Sequence, residues 1–385
     1  MQIHTVKPHD TIFKIARAYS VSPMKIIENN DLKNPDRLAI GQKLLILTPT
    51  RTYNVRGSDT VDRILTRFDM KPGELYRKNP YLAGENNIYP GQILTIRQNS
   101  PTLGTAYANG YYYGGTPRER LSMALPYLTY LTVAAGKRAD NGIKLLFDVS
   151  EPLRAAREST KIPLLRIYDE GVDFPEEYIR AIENAVTEEG FGGVSIAAYR
   201  AMRESPKAHA EFMDRLADRM HKRELTVFCE IDANSDTIPH GTSDGYVVNY
   251  EKCHMECIPD FEAGEAAAMR RISDMIPAAR CYMELAPYAY SGGEEMLISD
   301  AVDTAISAGK EILYDGEKKI CHFDYNKYLG GKRESVRVAF ESLENIKAKL
   351  ELISELGFMG ISFDVARVPV PYLMMFDANF ASPAI

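Results

Sequence analysis

The sequence predicts an α/β protein: a (β/α)8 barrel preceded by two small βααβ modules. Three observations carry this. A short N-terminal pattern occurs twice in succession, which is the mark of a repeated structural unit. Behind it, short apolar runs alternate with amphipathic segments, as strands and helices do in a parallel barrel. The stretch 104–385 also has the size of one closed barrel, about 250 residues.

The repeat comes first. Val6-Lys-Pro-His-Asp10-Thr11-Ile12 returns as Val55-Arg-Gly-Ser-Asp59-Thr60-Val61, and Ile40-Gly41-Gln42 returns as Tyr89-Pro90-Gly91-Gln92. Between these ends lie Asn29-Asn30 in one unit and Lys78-Asn79 in the other. Each unit opens on a short alternating strand, Ile3–Val6 or Tyr53–Val55. A polar turn follows, and Asp10 or Asp59 is placed to cap the next helix. Ile12, Ile15, Ala16 and Tyr19 recur at helical spacing, then Met24, Ile26 and Ile27 in a second helix. The Gly-Gln turn feeds a closing strand, Lys43–Leu47 or Ile93–Ile96. The modules are therefore expected at 1–48 and 51–97, with a polar linker at 98–103 and the barrel at 104–385.

Eight strands are expected in the barrel: Ala106–Tyr112, Tyr127–Val133, Leu164–Ile167, Gly193–Ala197, Thr226–Ile231, Gly245–Tyr250, Cys281–Leu285 and Gly360–Asp364. Helices intervene at Glu176–Glu189, Lys207–Lys222 and Ser342–Leu356. The last places Leu343, Ile346, Leu350, Ile353 and Leu356 on one face with charges opposite.

Composition narrows the function classes. A net charge of -7 without a basic block argues against nucleic-acid binding, which needs clustered Lys and Arg. The best apolar run, around Ala124–Ala135, is short and broken by Pro126, so no membrane span is expected. The start "MQIHTV" lacks a basic segment followed by an apolar one; no secretion signal and cytoplasmic synthesis are expected. Cys253-His254-Met-Glu256-Cys257 gathers zinc-type ligands, but nothing specifies a fourth. A loop with idle thiols is the expectation, with no metal and no other cofactor.

The N-terminal units resemble the LysM module through their Asp-Thr-Ile/Val and Gly-Gln turns. The resemblance implies a two-stranded sheet with two helices on one side. It also implies a shallow groove between the turns that binds N-acetylglucosamine chains of peptidoglycan or chitin. It places ligand contacts at Asp10, Thr11, Ile12, Leu38, Ala39 and Ile40, and again at Asp59, Thr60, Val61, Ile88, Tyr89 and Pro90. On their residues alone, the Asp and Gly positions shape turns and the flanking apolar positions remain free for ligand. Two linked weak sites would gain from effective concentration on a repeating polymer.

The run from Ala348 to Asp364 resembles the closing helix and strand of family 18 glycoside hydrolases, which are TIM barrels. Pro369–Phe380 is similar to the tail of that family's spore-cortex branch, and Asn249-Tyr250-Glu251 loosely to its Met-x-Tyr-Asp segment. The resemblance implies a substrate-assisted hydrolysis of N-acetylglucosamine linkages. The acids for it end the fourth strand as Asp-Gly-x-x-x-Asp-x-Glu. Here that strand reads "GFGGVSIAAYR". The first Asp falls on Gly192, the middle polar position on Ser195, the assisting Asp on Ala197 and the general acid on Tyr199. A placed general acid is worth about 10²–10⁴ in rate. A phenol, with a pKa of about 10, replaces it weakly.

Acids elsewhere keep a second possibility open. Asp169, Glu230, Asp232, Glu251, Glu284 and Asp364 stand near expected strand ends, where barrel catalysis sits. Glu230 and Asp232 share one side of their strand, and with Tyr250 and Glu251 they are the alternatives for relocated chemistry. Such pairs also make buried salt bridges. The chain has no Trp but 23 Tyr to line a sugar cleft or fill the interior. The function expected is a non-catalytic cell-wall or spore-envelope protein of a spore former. Its partners would be peptidoglycan, spore cortex or a chitin-type glycan, with spore-coat proteins beside them. The alternatives are an active glycoside hydrolase with relocated acids, and a barrel that binds an oligosaccharide or protein partner.

Overall fold

The computed structural model describes residues 1–381 apart from 84–86, 100–101, 141, 236–241, 250–260, 286–287 and 330–331. Its N-terminal part holds two units of the same plan. The first runs from strand Gln2–Thr5 through helices Ile12–Tyr19 and Pro23–Asn29 to strand Lys43–Ile46. The second repeats this with Arg51–Asn54, Val61–Phe68, Pro72–Lys78 and Ile93–Arg97. In each, the two strands pair antiparallel and the helices bury an apolar stripe against them.

Small polar devices hold each unit together. Thr11 and Thr60, not the preceding Asp residues, cap the first helices: their hydroxyls accept the amides of Lys14 and Arg63 at 3.2 and 3.3 Å. Asp10 and Asp59 instead close the turns, accepting the Lys7 and Arg56 amides at 2.8 and 2.7 Å. The carboxylate lies one residue too early to reach the helix amides. The repeated Asn has a role as well. Asn30 and Asn79 each bond the backbone of the closing strand in both directions, tying it to the second helix.

The rest of the chain builds the barrel from β1 (Tyr107–Tyr112), β2 (Tyr130–Ala139), β3 (Ile162–Tyr168), β4 (Gly193–Ala197), β5 (Thr226–Asp232), β6 (Gly245–Asn249), β7 (Cys281–Glu284) and β8 (Gly360–Asp364). Each is parallel to its neighbours, and β8 pairs with β1, which closes the ring. All eight expected strands are present, because a strand buried on both faces reads as a nearly continuous apolar run. Helices Glu176–Glu189, Pro206–His221 and Leu343–Leu356 cover the outside, the last capped by Ser342. Tyr111, Leu164, Phe228, Val247 and Tyr282 fill part of the interior from five different strands.

Between β7 and β8 lies an element that the sequence reading left unassigned. Strands Tyr288–Ser291, Glu294–Leu297, Leu313–Asp315, Ile320–Leu329 and Lys332–Glu341 form a five-stranded antiparallel sheet, with helix Ile298–Ala308 beside it. Its buried side chains make a separate cluster around Ile312, Phe323 and Val338. Ala39 of the first N-terminal unit belongs to that cluster.

Candidate functional site

The C-terminal ends of the strands form the barrel mouth, and its centre is one carboxylate. Glu230 on β5 is 0% exposed. Arg166 on β3 donates Nε–H and Nη2–H to its two oxygens, both at 2.8 Å. Ser195 on β4 donates its hydroxyl to Oε1 at 3.0 Å. Tyr199, just past β4, donates to Oε2 at 2.8 Å, and Asn249 on β6 donates Nδ2 to the same oxygen at 3.0 Å. Asn249 also donates to the Tyr199 hydroxyl at 2.8 Å.

Register explains why these residues meet. Ser195 pairs with Arg166 on one side and Phe228 on the other, so one level of β3, β4 and β5 points its side chains inward together. Burial alone pushes the Glu230 carboxyl up. The Arg166 guanidinium and the Tyr199 and Ser195 hydroxyls outweigh that and hold it below the usual glutamate range. Burial likewise works against the Arg166 charge, and the Glu230 carboxylate more than restores it. Glu230 is therefore an ionised acceptor at neutral pH with both oxygens engaged. It has no proton to give a leaving group, and as a nucleophile or base it is blocked by its four partners.

The other expected positions fall as follows. Gly192 stands at the opposite end of β4, where its amide donates to Pro163 and its carbonyl accepts Thr226. Ala197 is fully buried at the end of β4. Asp232 sits at the rim and accepts the Asn234 amide at 3.0 Å. Asp169 pairs with Arg138 at 3.5 Å. Asp364 on β8 accepts the Ala366 amide at 2.8 Å, and burial raises its carboxyl above the ordinary range. Tyr250, Glu251 and the Cys253–Cys257 cluster lie outside the described residues. Arg166 and Asn249 were missed as site residues. The available signal was an arginine inside the apolar run "IPLLRIY", since a buried charge must find a partner. Beside this network the Tyr111 hydroxyl and Asn249 Oδ1 are buried without a hydrogen-bond partner among the described residues, and the Arg166 guanidinium lies 5.5 Å from the Tyr111 ring.

In the N-terminal units, the residues of the two turns differ in access. Asp10, Thr11, Asp59 and Thr60 line their turns, while Ile12 and Val61 are buried helix residues. Leu38 and Ile88 pack partly against their own unit's core. Ile40, Tyr89 and Pro90 are exposed, and Ala39 is buried. Among the described residues no helix is long and apolar enough to cross a membrane.

The fold is a closed (β/α)8 barrel behind two small modules. Residues 4–47 and 53–97 each match the LysM domain, so those modules are LysM repeats. The cortical fragment-lytic enzyme of Bacillus subtilis (strain 168) is 24% identical over 414 residues, covering 94% of each chain. The spore cortex-lytic enzyme SleL of Bacillus megaterium QM B1551 superposes with a TM-score of 0.75 at 20% identity, over 99% of this chain and 98% of that one. A chitinase from Chromobacterium violaceum ATCC 12472 shares the fold over 71% of this chain and 99% of its own, with a TM-score of 0.63 and 13% identity.

Proposed function

We propose that this protein binds N-acetylglucosamine-containing glycan of the cell wall or spore cortex through LysM, and that its barrel does not cut it. The observation that carries the second half is the state of the mouth. The positions matching the assisting Asp and the acid are Ala197 and Tyr199, and the phenol is bonded to an ionised Glu230. A glycosidase needs one carboxyl that holds a proton at working pH and a second group that stabilises the forming cation. Glu230 supplies neither, because Arg166 already consumes its charge. The relatives' names, cortex-lytic and cortical fragment-lytic, support peptidoglycan of the spore cortex as the glycan. They support the spore envelope or cell wall as the location.

One observation favours a second reading. Asp364 holds its proton more tightly than an ordinary aspartate and sits at the end of β8. A hydrolase with a moved acid would start there, with Asp232 as its partner. Incubation of the pure protein with peptidoglycan and chitooligosaccharides separates the readings. Retention on insoluble glycan without new reducing ends supports the binder. Turnover that disappears in Asp364→Asn supports the hydrolase and overturns the proposal.

A further inference from the structure

The two LysM modules carry the same turn in different surroundings. Gly41 and Gly91 both adopt positive φ, +83° and +88°. Ala39 and Tyr89 hold equivalent places, each donating its amide to the Gln side chain of its own turn, at 3.2 and 3.0 Å. In the second module no described residue lies within 4 Å of where a Cβ on Gly91 would stand, and Tyr89 is 63% exposed. In the first, a Cβ on Gly41 would stand 1.8 Å from the Ile312 carbonyl oxygen. The Ile312 amide donates to the Ile40 carbonyl at 2.8 Å. Ala39 is 3% exposed and belongs to the buried cluster that holds Tyr290, Ile312, Phe323 and Val338 of the inserted element. Next to it, Lys43 bonds Glu344 at 2.8 Å and lies 4.1 Å from the centre of the Tyr314 ring.

We infer that the first module has given Ala39 and the Ile40–Gly41 backbone, one wall of its groove, to the element inserted between β7 and β8, with the Ile40 side chain left at the edge. Glycan is then held by the second module alone, between Asp59–Val61 and Ile88–Pro90. This rests on the glycan-binding reading above and narrows it to one groove. A sugar entering the first groove would have to displace Ile312 from the Ile40 carbonyl and strip Ala39 of its apolar cover. In the second groove the exposed Tyr89 ring offers a face to stack on. The gain in effective concentration from two linked sites is then absent. The first module serves instead as a rigid mount. Lys25 donates to Asn79 at 3.0 Å and to Tyr81 at 2.8 Å, joining the two modules, and Arg77 bonds Asp377 of the barrel at 2.8 Å.

The test uses the full chain and the N-acetylglucosamine tetramer, by calorimetry and by amide hydrogen exchange with and without ligand. The expected result is one site per chain, slowed exchange at 59–61 and 88–91, and no change at 38–41. Tyr89→Asp, a change at an exposed side chain, should weaken binding about tenfold or more. Two sites per chain, protection at 38–41, or an affinity indifferent to Tyr89→Asp would overturn the single-groove assignment while leaving glycan binding intact. Failure of the intact chain to bind either the tetramer or insoluble peptidoglycan would overturn both.

Discussion

Alanine at Gly41 and alanine at Gly91 form a matched pair that measures how firmly the first LysM module is docked. Both glycines lie in the left-handed region, where a Cβ costs about 1–2 kcal/mol. That cost is common to the two variants and cancels in their comparison. At Gly91 the methyl group enters open space. At Gly41 it meets the Ile312 backbone at 1.8 Å, and neither side has a flexible end that can swing away. The module must move off the sheet. That breaks the Ile312–Ile40 hydrogen bond, worth about 1 kcal/mol net, and uncovers Ala39 and part of Ile312. At about 25 cal/mol per Å² the exposed area adds a similar amount. We expect Gly41→Ala to exceed Gly91→Ala by about 2 kcal/mol. The local probe is exchange at the Ile312 amide, because a chain with several cooperative units has no single unfolding midpoint. A 2 kcal/mol loss should speed that exchange by about thirtyfold in Gly41→Ala and leave it unchanged in Gly91→Ala. Equal rates in the two variants would refute the docking argument.

Three other expectations follow from the barrel. Glu230→Gln should destabilise by about 3–5 kcal/mol in urea denaturation, since it leaves the Arg166 guanidinium buried without its counter-ion; a cost below about 1 kcal/mol would show the pair to be dispensable. Tyr199→Glu, even with Ala197→Asp, should fail to create hydrolysis, because the new carboxylate arrives beside Glu230 where the phenol now stands at 2.8 Å, and two such charges repel; released reducing ends from the double variant would contradict this. His209 is fully buried against Phe174 and Phe212, with both ring nitrogens unpartnered among the described residues, and burial lowers its pKa to about 4. The unfolded chain protonates this ring below about pH 6.5 while the folded chain does not, so stability should fall as pH drops from about 6.5 to about 4, by about 3 kcal/mol. His209→Phe should flatten that window in denaturation midpoints taken across pH, and an unchanged slope would exclude His209 as its source.

Much of the architecture was legible in single residues and short periods. The barrel strands announced themselves as apolar runs such as "GYVVN", which only a doubly covered strand tolerates. The inserted sheet did not. Its strands, "ICHFDYNKYL" for one, alternate apolar and polar residues, and that half-covered pattern has no obvious place in a parallel barrel. The helix caps fell one residue away from expectation because a Thr hydroxyl at 11 and 60 reaches the amide that Asp10 and Asp59 cannot. In the sequence Glu230 is legible as an acid on the fifth strand. Its ionised, fully engaged state depended on Arg166, which is sixty-four residues away in the chain.

The chain order alone determined the twin LysM turns, the eight strands and a fourth strand without an acidic residue, because each is written as residue identity at one place or as a period of a few residues. The folded molecule decided that Glu230 is neutralised from β3, and that the Ala39–Gly41 turn of the first module meets the inserted element while Tyr89 in the matching turn of the second is exposed. Both outcomes depend on which distant segments come within bonding distance. Coulomb attraction, hydrogen bonding and apolar burial act across that space, and no local pattern encodes it.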